Sequence, residues 1–198
     1  MNRLIALILF ALLILMGVYV VYASKHPSGS PLSGPPEENL IIFGFENWHE
    51  FTSPDGDFKV MLPTLPQHAS DMIKDKNNGE ERKYDMFVSE KSDGSVFMIN
   101  VITFAAPPDE KQKDQLRRTM MNDVLKSNPN NNLLRAETTS FKEVPALDYA
   151  IENTEMNVDS KVFVTDRALY ALTRLVKKER HNQKEFDFFT NSFDLSKK

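Results

Sequence analysis

Leu4 to Ala23, LIALILFALLILMGVYVVYA, is a run of 20 residues without a charged side chain, and it limits this chain more than any other stretch. A segment apolar all round has no polar face to turn toward water, so it does not read as one more amphipathic helix of a globular core. At 1.5 Å per residue it makes a helix of about 30 Å, the thickness of a bilayer's hydrocarbon layer. A cleavable signal peptide is the competing reading, with Val21-Tyr22-Ala23 as the cleavage site. Cleaved signals carry apolar regions of about 7–15 residues, shorter than this one. Tyr19 and Tyr22 also sit where interfacial aromatic anchors sit. A retained transmembrane signal-anchor over residues 1–23 is therefore expected. Basic residues on its two sides nearly balance, so the usual behaviour of a lone N-terminal apolar segment sets the orientation. That places the N-terminus in the cytoplasm and the rest on the extracytoplasmic, periplasmic side of the cytoplasmic membrane. The sequence holds no Asn-x-Ser/Thr acceptor, which favours a bacterial envelope over a glycosylating secretory route.

Ser24 to Asn39, SKHPSGSPLSGPPEEN, has almost no apolar content and reads as a linker. Its root-mean-square span is about 20–25 Å if flexible, so the domain beyond it stands near the membrane without being packed on it. Residues 40–198 remain for one globular domain, large enough to bury roughly 68–70% of its unfolded surface without a metal or disulfide staple. There is no cysteine, which removes disulfides, thiolate metal sites, cysteine nucleophiles and lipidation on cysteine. Arg3 and Lys25 are offset by Glu37 and Glu38, so the net charge of −4 belongs to the later part. A mildly acidic domain lacks the basic footprint of a nucleic-acid binder.

Leu40–Phe45 reads as an added edge strand, or as a segment lying on the membrane surface. From Trp48 the pattern sharpens. WHEFT and FKVML alternate at period two across Ser53-Pro54-Asp55-Gly56-Asp57, a hairpin loop, and Pro63 and Pro66 stop the second strand. Lys83–Ser89 and Ser95–Phe104 flank Lys91-Ser92-Asp93-Gly94, a second hairpin. VFMINVITF is apolar on both faces and belongs centrally in a sheet. Asp109 caps a helix running to about Ser127, with Leu116, Met120 and Val124, and Met121 and Leu125 beside them, as its apolar stripe and Lys111, Lys113, Arg117, Arg118 and Asp123 on the other face. Leu133–Phe141, Pro145–Asn153, Lys161–Thr165 and Ala168–Val176 read as strands. Asn182 caps a final helix whose Phe186, Phe189 and Phe193 dock on the sheet. Strands, helix, strands, helix is the order of an α+β domain with a mostly antiparallel sheet.

This order resembles the PsbP-like superfamily. The residues that carry the resemblance are FTSPDGDFKVMLPTLPQ, the helix ending at Asn128-Pro129, the strand pair around RALYALTRLV, and the closing FFTNSFDL with Ser192-Phe193-Asp194-Leu195. It covers about residues 46–196. What it implies is an α/β/α sandwich around a central sheet, used as a binding or assembly module; no ligand set is implied.

The sequence holds no Gly-x-Gly-x-x-Gly, Walker, Gly-x-Ser-x-Gly or His-Glu-x-x-His motif. No catalytic residue, cofactor or metal ligand is therefore assigned. His49-Glu50 reads as neighbouring strand residues facing opposite ways, and Asp55-Gly56-Asp57 as a plain turn rather than a calcium loop. The candidate contact surface is the basic run Arg174 to Lys184, with Arg174, Lys177, Lys178, Arg180 and Lys184 facing acidic lipid headgroups or an acidic protein. Two functions follow as expectations. One is a membrane-tethered, non-enzymatic binding or assembly module with a protein partner. The other is an envelope enzyme using Glu80 and Glu81 near His68.

Overall fold

Residues 45, 47–74 and 81–196 are described by the computed structural model of the chain. The expected anchor Leu4–Ala23, the linker, the Leu40–Phe45 strand (Phe45 apart) and Glu80 lie outside them. Among the described residues, no helix is long and apolar enough to cross a membrane.

Turn chemistry sets the hairpins. β1 (His49–Thr52) and β2 (Phe58–Leu62) are joined by a loop in which Ser53 does most of the bonding. Its Oγ accepts from the backbone N–H groups of Asp57 and Phe58 at 2.9 and 3.2 Å, while Gly56 takes the left-handed φ of +69°. β4 (Glu81–Glu90) and β5 (Val96–Thr103) turn over Gly94 at φ +82°. The third tight hairpin joins β6 (Asn132–Phe141) to β7 (Val144–Glu152) through Lys142 and Glu143. Their φ values are +45° and +72° without a glycine, the shape of a type I′ turn.

β3 (Gln67–Lys74) was not expected. Pro63 and Pro66 do end β2, but a new eight-residue strand starts directly after them and pairs with β4. β8 (Met156–Val164) starts five residues before the expected Lys161, and β9 (Ala168–Lys177) follows. The main sheet has seven strands in the order β3-β4-β5-β9-β8-β7-β6, and every pairing is antiparallel. β5, read as central, lies beside β9, which holds the middle place.

Two helices complete an α+β domain. α1 (Glu110–Lys126) starts in a capping box, with Asp109 accepting from Gln112 N–H and Gln112 Oε1 accepting from Asp109 N–H. It packs on β7 and β8. Met120 and Met121 of the expected stripe are buried, joined by Arg117 and Asp123 from the face expected to be polar, while Leu116, Val124 and Leu125 are half-buried. Arg117 is 5% exposed because its guanidinium reaches the Pro145 carbonyl and Asp114, which lets its apolar stem cover the sheet.

α2 (Gln183–Ser192) lies on the other face of the sheet. β9 sends Tyr170, Leu172, Arg174 and Val176 to that side, where Arg174 meets Glu185 and Phe186 of α2. Phe186 and Phe189 are buried on the helix as expected, but Phe193 follows its last turn. There it stacks on Phe58 with centroids 4.9 Å apart and meets Phe141, Phe163 and Tyr170 edge-on. β10 (Asp194–Leu195) then pairs with β2, giving a second sheet of order β1-β2-β10. Ser192 ties this corner: its Oγ accepts from Met61 N–H at 3.0 Å and donates to the Phe189 carbonyl at 2.7 Å.

Candidate functional site

The basic run Arg174 to Lys184 divides into a buried part and a surface part. Arg174 is 0% exposed, which takes it out of any surface contact. Alternation along β9 turns it inward, toward carboxylates from two other elements. Its Nη2 donates to Asp159 Oδ2 at 2.7 Å; its Nη1 donates to the Asn182 carbonyl and lies 3.5 Å from Glu185 Oε2. His181 closes on the same Asp159 carboxylate, with Nε2 3.0 Å from Oδ2. Lys91 reaches Glu185 Oε1 at 2.6 Å and Asp93 Oδ2 at 3.1 Å. Burial works against charge on Lys91 and Asp93, yet their bonds prevail: the Lys91 pKa is raised through Glu185 and Asp93, and the Asp93 pKa is lowered through Ser95 and Lys91. This network holds α2 to the sheet.

The other four members of the run are exposed. Lys178 pairs with Glu152 at 2.8 Å, and Arg180 donates to the Asp93 carbonyl. Lys177 ends β9, and Lys184 sits in the first turn of α2, its N–H capped by Asn182 Oδ1. Lys177, Lys178, Arg180 and Lys184 thus remain as the surface set.

His68 lies on β3 opposite Phe87 of β4, and its ring stacks on the phenyl ring with centroids 4.4 Å apart. Its Nε2 is 2.9 Å from Asp85 Oδ1. Lys83 bridges Asp85 at 3.2 Å and Asp55 at 2.6 Å. Burial would raise the Asp85 pKa, but bonds from His68, Ser70 and Lys83 overcome it and hold the carboxyl below its ordinary value. Glu81 is not part of this group. It pairs with Lys74, six positions along β3 from His68, or about 20 Å at strand spacing. Asp85, which the sequence reading did not name, is the carboxylate that meets His68.

Under α1 the sheet carries polar atoms that the apolar stripe did not announce. Ser160 and Thr173 hydroxyls bond at 2.9 Å, and Tyr84 Oη donates to Asn100 Oδ1 at 2.6 Å. Asp123 Oδ2 is buried without a hydrogen-bond partner among the described residues, and Tyr149 Oη is buried beside Ser160. Burial pushes the Asp123 pKa up and that of Tyr149 to about 12. Among the described residues, no group of three or more His, Asp or Glu side chains is placed to hold a metal.

What remains open is the sheet's two edges. β3 is exposed at Gln67–Met72, and Met72 is 58% exposed with Leu65 beside the strand at 77%. β6 is exposed from Asn132 to Thr138, including Leu133 and Leu134. Among the described residues neither β3 nor β6 has a strand on its outer side, and such an edge is a template for another strand. Such edges can bind; they supply no chemistry of their own.

No protein-family model matches the sequence, and no curated protein matches it. A crystal structure of a protein from Bacteroides thetaiotaomicron VPI-5482 is similar over 77% of this chain, with 13% identity and a TM-score of 0.43. The chain spans half of that protein's length, the match covering 50% of it.

Proposed function

We propose that the chain is a non-catalytic binding or assembly module of the PsbP-like kind, an α/β/α sandwich held at the outer face of the cytoplasmic membrane by Leu4–Ala23. The observation that carries this reading is the β3 edge, where Leu65 and Met72 stand exposed while most apolar residues of β2, β5 and β9 are buried. An extended segment of a protein partner adds there as an eighth strand. Its backbone bonds the edge, and its side chains cover Leu65 and Met72. The exposed lysines and Arg180 at the end of β9 give a second, electrostatic contact to an acidic partner or to headgroups.

The test is a photo-crosslinking residue at position 72 in the full chain, in its native membrane. A discrete adduct that disappears in Leu65→Asp, with the melting temperature unchanged, supports the reading. An adduct pattern indifferent to Leu65→Asp refutes it. The enzyme alternative rests on the His68–Asp85 pair; it requires a hydrolytic or transfer activity that His68→Gln abolishes.

A further inference from the structure

We propose that β6 is the contact between two copies of this chain, joined antiparallel about a two-fold axis at Ala136. Among the described residues the sheet ends at β6, and nine of its ten residues pair with β7, on one side only. In an isologous antiparallel pair, residues equidistant from the axis stand opposite each other. With Ala136 on the axis, Arg135 faces Glu137 of the second copy, and Glu137 faces its Arg135. Both side chains lie on the same face of the sheet, because Arg135 pairs with Ala150 and Glu137 with Asp148, two positions apart on β7. They are 40% and 57% exposed, and within one chain their charged ends are 3.8 Å apart. Two copies convert that loose pair into a four-membered alternating cluster.

Beyond the charged pairs the bulge breaks one-to-one pairing, and the exposed Leu133 and Leu134 together come against the Thr138 end of the second copy's strand. The bulge at Leu134 lies outside the central charged pairs. Charges along an edge normally discourage pairing, but alternating signs that match their own reverse select this register instead. The opposite edge has no such match. A pivot at Ser70, Asp71 or Met72 places Asp71 against Ala69, itself or Ile73, never against a cation. The self-contact is thus specific to β6. It is independent of the β3 partner.

The absence of cysteine makes the test direct. Ala136→Cys and Ala69→Cys, each in the full chain in membranes, place one thiol at the centre of an exposed edge. Mild oxidation or a short bis-maleimide should join Ala136→Cys into a covalent dimer at least tenfold faster than Ala69→Cys. Adding Arg135→Glu should bring the Ala136→Cys rate down to that of the control, and adding Glu137→Arg to that variant should restore it. Equal rates at the two edges, or a rate that ignores the charge reversals, overturn the proposal.

Discussion

Two aspartates show how one residue type takes opposite roles. Asp85 is held below its ordinary pKa of 3.8 despite burial, so it stabilises the fold while ionised. That contribution is complete above the ordinary value and is lost as pH falls through the lowered one. Asp123 is raised from the same value by burial, so its ionised form opposes folding, fully so above the raised value and not at all below 3.8. Asp85→Asn should therefore lower the urea midpoint at pH 7, and Asp123→Asn should raise it. Both differences should shrink toward zero in acid; the same sign for the two variants would contradict the assignment. Arg174→Ala leaves Asp159 and Glu185 buried without their shared cation and should cost about 3–5 kcal/mol in denaturant unfolding. A loss below about 1 kcal/mol would mean that the network is dispensable. Residue by residue, the sequence discloses less than the fold. Arg174 stands alone in the apolar run LYALTRLV, and that was a readable sign of burial. Its partners Asp159 and Glu185 come from another strand and a later helix, so only the register identifies them.

At the level of elements, the β6–β7 hairpin carries a local cost. Lys142 and Glu143 both hold the left-handed conformation, which costs a non-glycine residue roughly 1–2 kcal/mol. Lys142 has a compensating contact, its Nζ being 2.7 Å from Asp194 Oδ1. Glu143 is the position to change. Glu143→Gly should raise stability by about 0.5–1 kcal/mol, the turn relief exceeding glycine's entropy in the unfolded chain. A lower melting temperature would show that the turn is not strained. Most elements were legible because their signals are local: Gly56 and Gly94 at the turns, alternation in β2, the apolar run of β9, Asp109 before α1. β3 was illegible for the converse reason. QHASDMIK sits at an edge with Gln67–Met72 exposed, so no apolar alternation marks it, and the preceding prolines read as an ending. β10 is two residues long and exists only because β2, far away in sequence, offers an edge. On α1 the burial of Met120 and Met121 was legible, whereas that of Arg117 was not, because its stem serves as apolar surface.

For the molecule as a whole, β1 and β10 flank β2, so the described domain begins and ends in one small sheet. His49 pairs with Leu62 and Leu195 with Phe58, which separates the two ends by about 13 Å along β2 and about 10 Å across it. Five or six extended residues cover that gap of about 16 Å. The order in which the chain visits its elements is thus exchangeable. Residues 47–196 closed by a six-residue Gly/Ser bridge and reopened between Pro129 and Asn130 should fold cooperatively, melting within a few degrees of the unpermuted segment. If that permutant aggregates while the unpermuted segment folds, the α1-to-β6 connection is a part of the fold that cannot be cut. If it folds, the point of attachment becomes a free choice, and the domain can be hung from a surface by its loop end instead of its first strand.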